Sequence, residues 1–172
     1  MLHSSGSVGN GTSARFEERA LRHVMGHFCS GVTVVTSSAD RRAFGMAVQS
    51  FTSLSLDPPL VSICPARTST SWPDIRDTGR FCVNILGRDQ EHLSRRFAVS
   101  GGDKFADVDW EPTSAGLPGL TGALAWVDSA IKAEYPAGDH TIVVGEVLDL
   151  RLGDNTEGPL LYFRGRYAAL RV

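Results

Sequence analysis

The chain has 172 residues, 42% hydrophobic and 21% charged, with a formal net charge of −2. That length suits one domain that buries a substantial core without staples, and the composition excludes a disordered, collagen-like or disulfide-scaffold chain. A pI near 6.2 argues against nucleic-acid binding through phosphate neutralisation, and no run reaches the roughly 18 apolar residues of a membrane span, so neither nucleic acid nor membrane is expected as a partner.

Residues 1–14, MLHSSGSVGNGTSA, lack the basic start and apolar centre of a secretory signal. They read as a disordered tail ahead of one domain over 15–172, and a cytoplasmic location follows. Ser13 can cap a helix from Ala14. Phe16, Ala20, Val24 and Phe28, with Leu21 and Met25 alongside, form one apolar stripe at helical period that ends at Gly31. The β-branched run 32–36 then predicts a buried strand. A polar turn over 37–42 and a second strand over 43–51 complete a hairpin. Two prolines make 54–59 a loop. Strands follow at 60–64 and 80–86, with a short helix over 73–78 between Pro73 and Gly79. Asp89 can cap a helix over 90–98 that presents Leu93 and Phe97 on one face. The stretch 100–122, rich in Gly, Asp, Pro and Ser, is a long excursion of the kind that usually serves function.

Three strands close the chain, near 123–135, 141–152 and 159–170. In the middle one Ile142, Val144, Leu148, Leu150 and Leu152 are expected on the buried face, opposite Thr141, Asp149 and Arg151. About seven strands, mostly without intervening helices, exclude a doubly wound sheet and predict a mainly β, closed antiparallel barrel with a few short peripheral helices.

Cys29, Cys64 and Cys82 stand far apart in apolar runs and read as buried, reduced thiols. Their spacing offers no zinc site. His23 and His27, one turn apart, read as a solvated pair on a surface helix. No strand is followed by GxGxxG, and Walker, GxSxG, HExxH and EF-hand patterns are missing from the sequence.

Four segments carry candidate chemistry. In GMAVQSFTSLSLDPPL, over 45–60, small residues let a flat ligand approach the backbone, and amides and serines can bond its polar edge. In PARTSTSW, over 65–72, hydroxyls, an arginine and helix-start amides could form an anion site. His140, in Gly138-Asp139-His140, could bond a substrate amide or move a proton near neutral pH. Asp103-Lys104-Phe105 offers a cation and a ring. Each of these also has an ordinary structural reading as turn, cap or loop.

In order, GVTVVT, GMAVQSFTSLSLDPPLVSICP, FCVNIL, DKF, GDHTIVVGEV and PLLYFRGRY resemble the short-chain flavin reductase family over about residues 20–170. These are the reductase components of two-component flavin-dependent monooxygenases. SICPARTSTSW and RFCVNIL look most like reductases serving aromatic or steroid-ring hydroxylases of actinobacterial type. The resemblance implies an FMN-binding split barrel of antiparallel Greek-key topology, and a homodimer. It implies hydride transfer from NADH or NADPH to FMN or FAD, and delivery of reduced flavin to an oxygenase component.

It also implies site residues. The flavin would lie along Met46, Ala47, Val48, Gln49 and Ser50, with Ser53. Thr68, Ser69 and Ser71 would hold its phosphate with Arg67 nearby, and Cys64, Pro65 and Ala66 would flank the ribityl chain. Phe97, Lys104 and Phe105 would close over it. His140 would sit by the nicotinamide as the catalytic residue, and Tyr162, Phe163, Arg164 and Tyr167 would border the cleft. No metal is implied. Arg41, Arg42, Arg164 and Arg166 could each meet a nicotinamide 2′-phosphate. The sequence departs from many relatives at 126–129, where a cysteine is frequent. Asp128, in that strand, needs a partner or must face solvent. Two other readings stay open. One is a non-catalytic flavin-binding sensor or scaffold. The other is an oxidase of pyridoxamine-phosphate-oxidase type, which needs a second basic phosphate site, for which Arg95 and Arg96 are the pair considered.

Overall fold

A computed structural model describes residues 17–170; the tail 1–14, the Ser13 cap and Phe16 lie outside the described residues. Helix α1, Glu18–Met25, is shorter than the stripe predicts, because Gly26 caps it before Phe28, and none of its residues is buried. Strands β1 (Ser30–Gly31), β2 (Thr33–Ala39) and β3 (Arg42–Val48) follow. The β2–β3 turn is two residues rather than six. Asp40 and Arg41 hold φ of 48° and 65°, as a type I′ turn requires, so pairing continues to Ala39 opposite Arg42.

The expected loop 54–59 is instead strand β4 (Thr52–Leu56), turned at 57–58 into β5 (Pro59–Ile63). The ladder tolerates both prolines: Pro58 lies in the turn, and Pro59, opposite Leu56, is the first residue of its strand. Helix α2 (Trp72–Asp77), strand β6 (Arg80–Ile85) and helix α3 (Glu91–Ala98) agree with expectation to within about a residue, although Asp89 makes no capping bond. The excursion contains a small hairpin, β7 (Trp110–Pro112) and β8 (Pro118–Leu120). β9 (Ala125–Ala137) and β10 (His140–Leu152) form a long pair. The last predicted strand is two, β11 (Leu160–Phe163) and β12 (Arg166–Ala169), broken where Arg164 and Gly165 take φ of 51° and 76°.

Seven strands make one antiparallel sheet in the order β3-β2-β6-β9-β10-β5-β4. Val35, Met46, Ile63, Phe81, Val83 and Val143, from five of those strands, converge on a single core. Only a sheet curled around its own face allows that. Its two edges, β3 and β4, are joined by residues 49–51, which leaves the barrel split there. Outside it, Leu93 and Phe97 of α3 pack on Val34, Leu86 and Leu160. Both faces of β2 are thus covered, which explains its unbroken apolar run. Asn84, fully buried, clasps the excursion to the barrel. Its Nδ2 donates to the Val34 carbonyl at 2.9 Å, and its Oδ1 accepts from Leu120 N–H at 2.7 Å.

The face assignment of β10 is corrected. Val143 is the fully buried residue, and Leu148, Leu150 and Leu152 are exposed. Val147 pairs Ser129 and Asp149 pairs Asp128, so Leu148 is an extra residue. One such bulge exchanges the faces of everything beyond it. Ile142 and Val144 therefore lie opposite Leu150 and Leu152. The thiol expectation holds for Cys82 alone, since Cys64 is half-buried and Cys29 exposed. Asp128 is buried rather than solvated. Its Oδ2 accepts the Ala115 N–H at 3.3 Å, while Oδ1 has no hydrogen-bond partner. His23 and His27 are both exposed on and just beyond α1.

Candidate functional site

A cleft of about 910 Å³ opens beside β3. Its floor is Met46, Ala47 and Val48, its rim the loop 64–71, and its far walls α3 and Tyr162 and Tyr167. β3 pairs only with β2, so its other edge is free. The Gly45 carbonyl accepts from Lys104 Nζ at 3.2 Å, which shows that Gly45 directs its backbone groups off that edge. Alternation then sends those of Ala47 the same way, toward the cleft.

The loop 64–71 is held by backbone bonds. Arg67 N–H donates to the Asp139 carbonyl at 2.9 Å and Thr141 N–H to the Pro65 carbonyl at 3.0 Å. These bonds dock the loop on the start of β10 and bring His140 to the cleft. Cys64 N–H donates to Ser50 Oγ at 2.8 Å, tying the loop to the end of β3. Ser69 Oγ accepts from Trp72 N–H at 3.2 Å.

Lys104 enters from the excursion. Its ammonium donates to Ser71 Oγ at 2.9 Å and to the Gly45 and Phe97 carbonyls at 3.2 Å each. Burial holds its pKa below the ordinary lysine value. A partly desolvated cation among hydroxyls is suited to an anion. His140 Nδ1 lies 2.8 Å from Asp139 Oδ1, and that contact lowers the Asp139 pKa. The carboxylate fixes the ring and leaves Nε2 for a ligand. On the opposite wall Tyr167 OH and Ser94 Oγ are 2.9 Å apart.

The cleft therefore gathers Met46, Ala47, Val48, Gln49, Ser50, Cys64, Pro65, Ala66, Thr68, Ser69, Ser71, Phe97, Lys104, His140, Tyr162 and Tyr167. It does not include Ser53, Arg67, Phe105, Phe163 or Arg164. Ser53 and Arg67 are exposed. Phe105 stands behind Phe97, ring centroids 5.1 Å apart. Met25, Val32, Thr70, Ser94, Val99 and Ser100 line the cleft as well. Sequence reasoning missed most of them because they sit on the unpredicted side of a helix end or strand start; Thr70 lay within a quoted motif.

An apolar floor with free edge amides, a hydroxyl-rich loop and one cation is a donor set for a planar heterocycle that bears a phosphate, and the volume suits one. Residues 25–171 match the flavin reductase like domain, and the chain belongs to that family. It is 43% identical over 159 residues to the Mycobacterium tuberculosis flavin-dependent monooxygenase reductase subunit HsaB, covering 92% of this chain and 85% of that one. Nitrilotriacetate monooxygenase component B of Mycobacterium thermoresistibile superposes with a TM-score of 0.86 at 44% identity, covering 90% of this chain and 87% of that one. Streptomyces globisporus NADH:FAD oxidoreductase SgcE6, solved with NAD and FAD fragments, gives 0.84 at 37%, covering 90% and 93%. Among the described residues no helix is long and apolar enough to cross a membrane.

Proposed function

We propose that the chain is an NAD(P)H:flavin oxidoreductase whose reduced flavin serves a partner monooxygenase, of the aromatic or steroid-ring hydroxylating kind. The observation that supports this most is the free edge of β3 facing Lys104 and the loop 64–71 across one open cleft. When bound, the flavin supplies the redox chemistry, accepting a hydride from reduced nicotinamide. The residues of this chain bind and orient. Edge amides at Ala47 and beyond face the ring's polar side and favour negative charge there. Thr68, Ser69 and Ser71 donate hydroxyl hydrogen bonds to the phosphate, and Lys104 supplies its counter-charge. Met46 and Val48 exclude water from beneath the ring. His140, steadied by Asp139, holds the nicotinamide amide and moves no proton. The mechanism then needs no nucleophile or general base, in keeping with the missing motifs.

The cleft is open on one side, as release of reduced flavin to a partner requires. We place the enzyme in the cytoplasm as one unit over 15–172, acting as a homodimer. Support for the dimer comes from apolar surface no described residue covers: Leu21, Val24, Met25 and Phe28 around α1, Leu54 and Leu56 on β4, and Leu148, Leu150 and Leu152 on β10. Light scattering on the purified chain should give twice the monomer mass, and Leu150→Glu should shift it toward the monomer. For the activity, NADH or NADPH oxidation is followed at varied free FMN and FAD. Consumption that rises with added flavin supports a reductase. Flavin binding without nicotinamide consumption would establish a sensor or scaffold instead.

A further inference from the structure

A second chamber of about 690 Å³ lies beyond Lys104. It shares Thr70, Ser71 and Lys104 with the cleft, so one phosphate-competent wall serves both. Its outer side is the β2–β3 turn with Arg41 and Arg42, and its inner side is Phe105 and Trp110.

Three observations give this chamber a chemistry. Its cations are Arg41, Arg42 and Lys104, against the carboxylates of Asp74 and Asp103. Asp103 is committed to the Phe105 N–H at 3.0 Å. Among the described residues neither Arg41 nor Arg42 has an ion-pair partner, so both guanidinium groups can meet an anion. Aromatic rings step outward from the cleft: Phe97 to Phe105 at 5.1 Å, then Phe105 to Trp110 at 6.2 Å, both edge-to-face. Trp110 keeps 41% of its surface exposed, which is unusual for an indole without a ligand or partner. Arg42 already lies over the Phe44 ring, 5.5 Å from its centroid, and a planar base can stack on such a guanidinium.

We infer that this chamber receives the adenosine-phosphate half of the flavin, so that the enzyme selects FAD over FMN. The inference rests on the flavin reductase reading of the adjoining cleft. With the flavin's first phosphate at Ser71 and Lys104, the group beyond it enters the second chamber. Arg41 and Arg42 then meet the second phosphate, and adenine stacks on Trp110. FMN ends at the first phosphate and leaves these groups unused. A charge-assisted contact gives roughly tenfold in affinity, so FAD should bind at least about tenfold tighter than FMN.

The test is direct binding of oxidised FMN and FAD, read by flavin fluorescence, with activity measured separately. The wild-type chain should favour FAD, and 5′-AMP should displace FAD while leaving FMN bound. Arg41→Ala/Arg42→Ala and, separately, Trp110→Ala should each bring the FAD:FMN affinity ratio toward one. Equal wild-type affinities, or a ratio unmoved by both variants, would overturn the inference and leave the reductase reading intact. So would an Arg41→Ala/Arg42→Ala effect confined to the KM for NADPH relative to NADH, which would assign the arginines to a nicotinamide phosphate. Failure of either flavin to bind would sink the reductase reading itself.

Discussion

Gly45 sits where the barrel meets α3, on the wall of the second chamber, and its hydrogen side chain is a packing requirement. A Cβ there would lie 2.5 Å from Phe97 Cε1 and 2.7 Å from Cδ1, where ordinary contact begins at 3.4 Å. Phe97 is 1% exposed and its ring abuts Phe105, so any withdrawal displaces that neighbour or the cleft wall it helps form. Gly45→Ala must move the ring by about an ångström. Overpacking of this kind costs about 1–3 kcal/mol, which in a chain of this length lowers Tm by roughly 2–4 °C per kcal/mol. The shift also reaches the site, because Lys104 Nζ bonds both the Gly45 and Phe97 carbonyls. Flavin affinity should therefore fall by about tenfold, equivalent to 1.4 kcal/mol. Thermal unfolding and flavin titration measure the two effects. Phe97→Leu in the same chain should recover part of both, a positive coupling in a double-mutant cycle. A Gly45→Ala protein that melts within about 1 °C of wild type and binds flavin unchanged would show that the clash is absorbed elsewhere and refute this argument.

Other outcomes follow from the same geometry. Lys104→Met strands two carbonyls and removes the cleft's cation, so flavin binding should weaken by about tenfold or more, and the loss should shrink for riboflavin, which has no phosphate. His140→Ala should raise the KM for the nicotinamide with little change in flavin affinity; an unaltered KM and turnover would remove its orienting role. Burial, together with the Asp128 carboxylate, pushes the Cys82 thiol far above its ordinary pKa of 9.0. The unfolded chain releases that proton above pH 9.0 and the folded one does not. The stabilisation is thus complete below that pH and declines above it by up to ~1.4 kcal/mol per pH unit. Urea unfolding at about pH 8 and 10 should show a shallower alkaline decline in Cys82→Ala, and identical slopes would contradict the assignment.

The legible parts of this protein were those where one local rule decides. The run Val32 to Thr36 announced a strand because both faces of β2 are covered, by the barrel core on one side and α3 on the other. Pro73 and Gly79 bracketed α2 for reasons internal to a helix. Where two rules compete, the sequence was silent on the winner. Prolines at 58 and 59 argued for a loop, and the tight β4–β5 turn overrode them by taking Pro58 into the turn and Pro59 as the first residue of β5. In β10 strict alternation was interrupted by a bulge at Leu148, which shows only in the partner register Val147–Ser129 and Asp149–Asp128. The site divides in the same way. Motif segments contiguous in sequence, 46–50 and 64–71, landed in the cleft almost whole, because a strand edge and a docked loop each present their residues together. Single residues carried over from resemblance separated: Lys104 reached the cleft, and Phe105 faced the second chamber behind Phe97. That separation places an aromatic step and two arginines without an ion-pair partner on the far side of the phosphate-competent wall, where the sequence offered Arg41 and Arg42 for a nicotinamide phosphate and gave Trp110 no role. The proposed choice among flavins therefore rests on the turn at Arg41 and the strand at Trp110, outside the short segments that carry the resemblance.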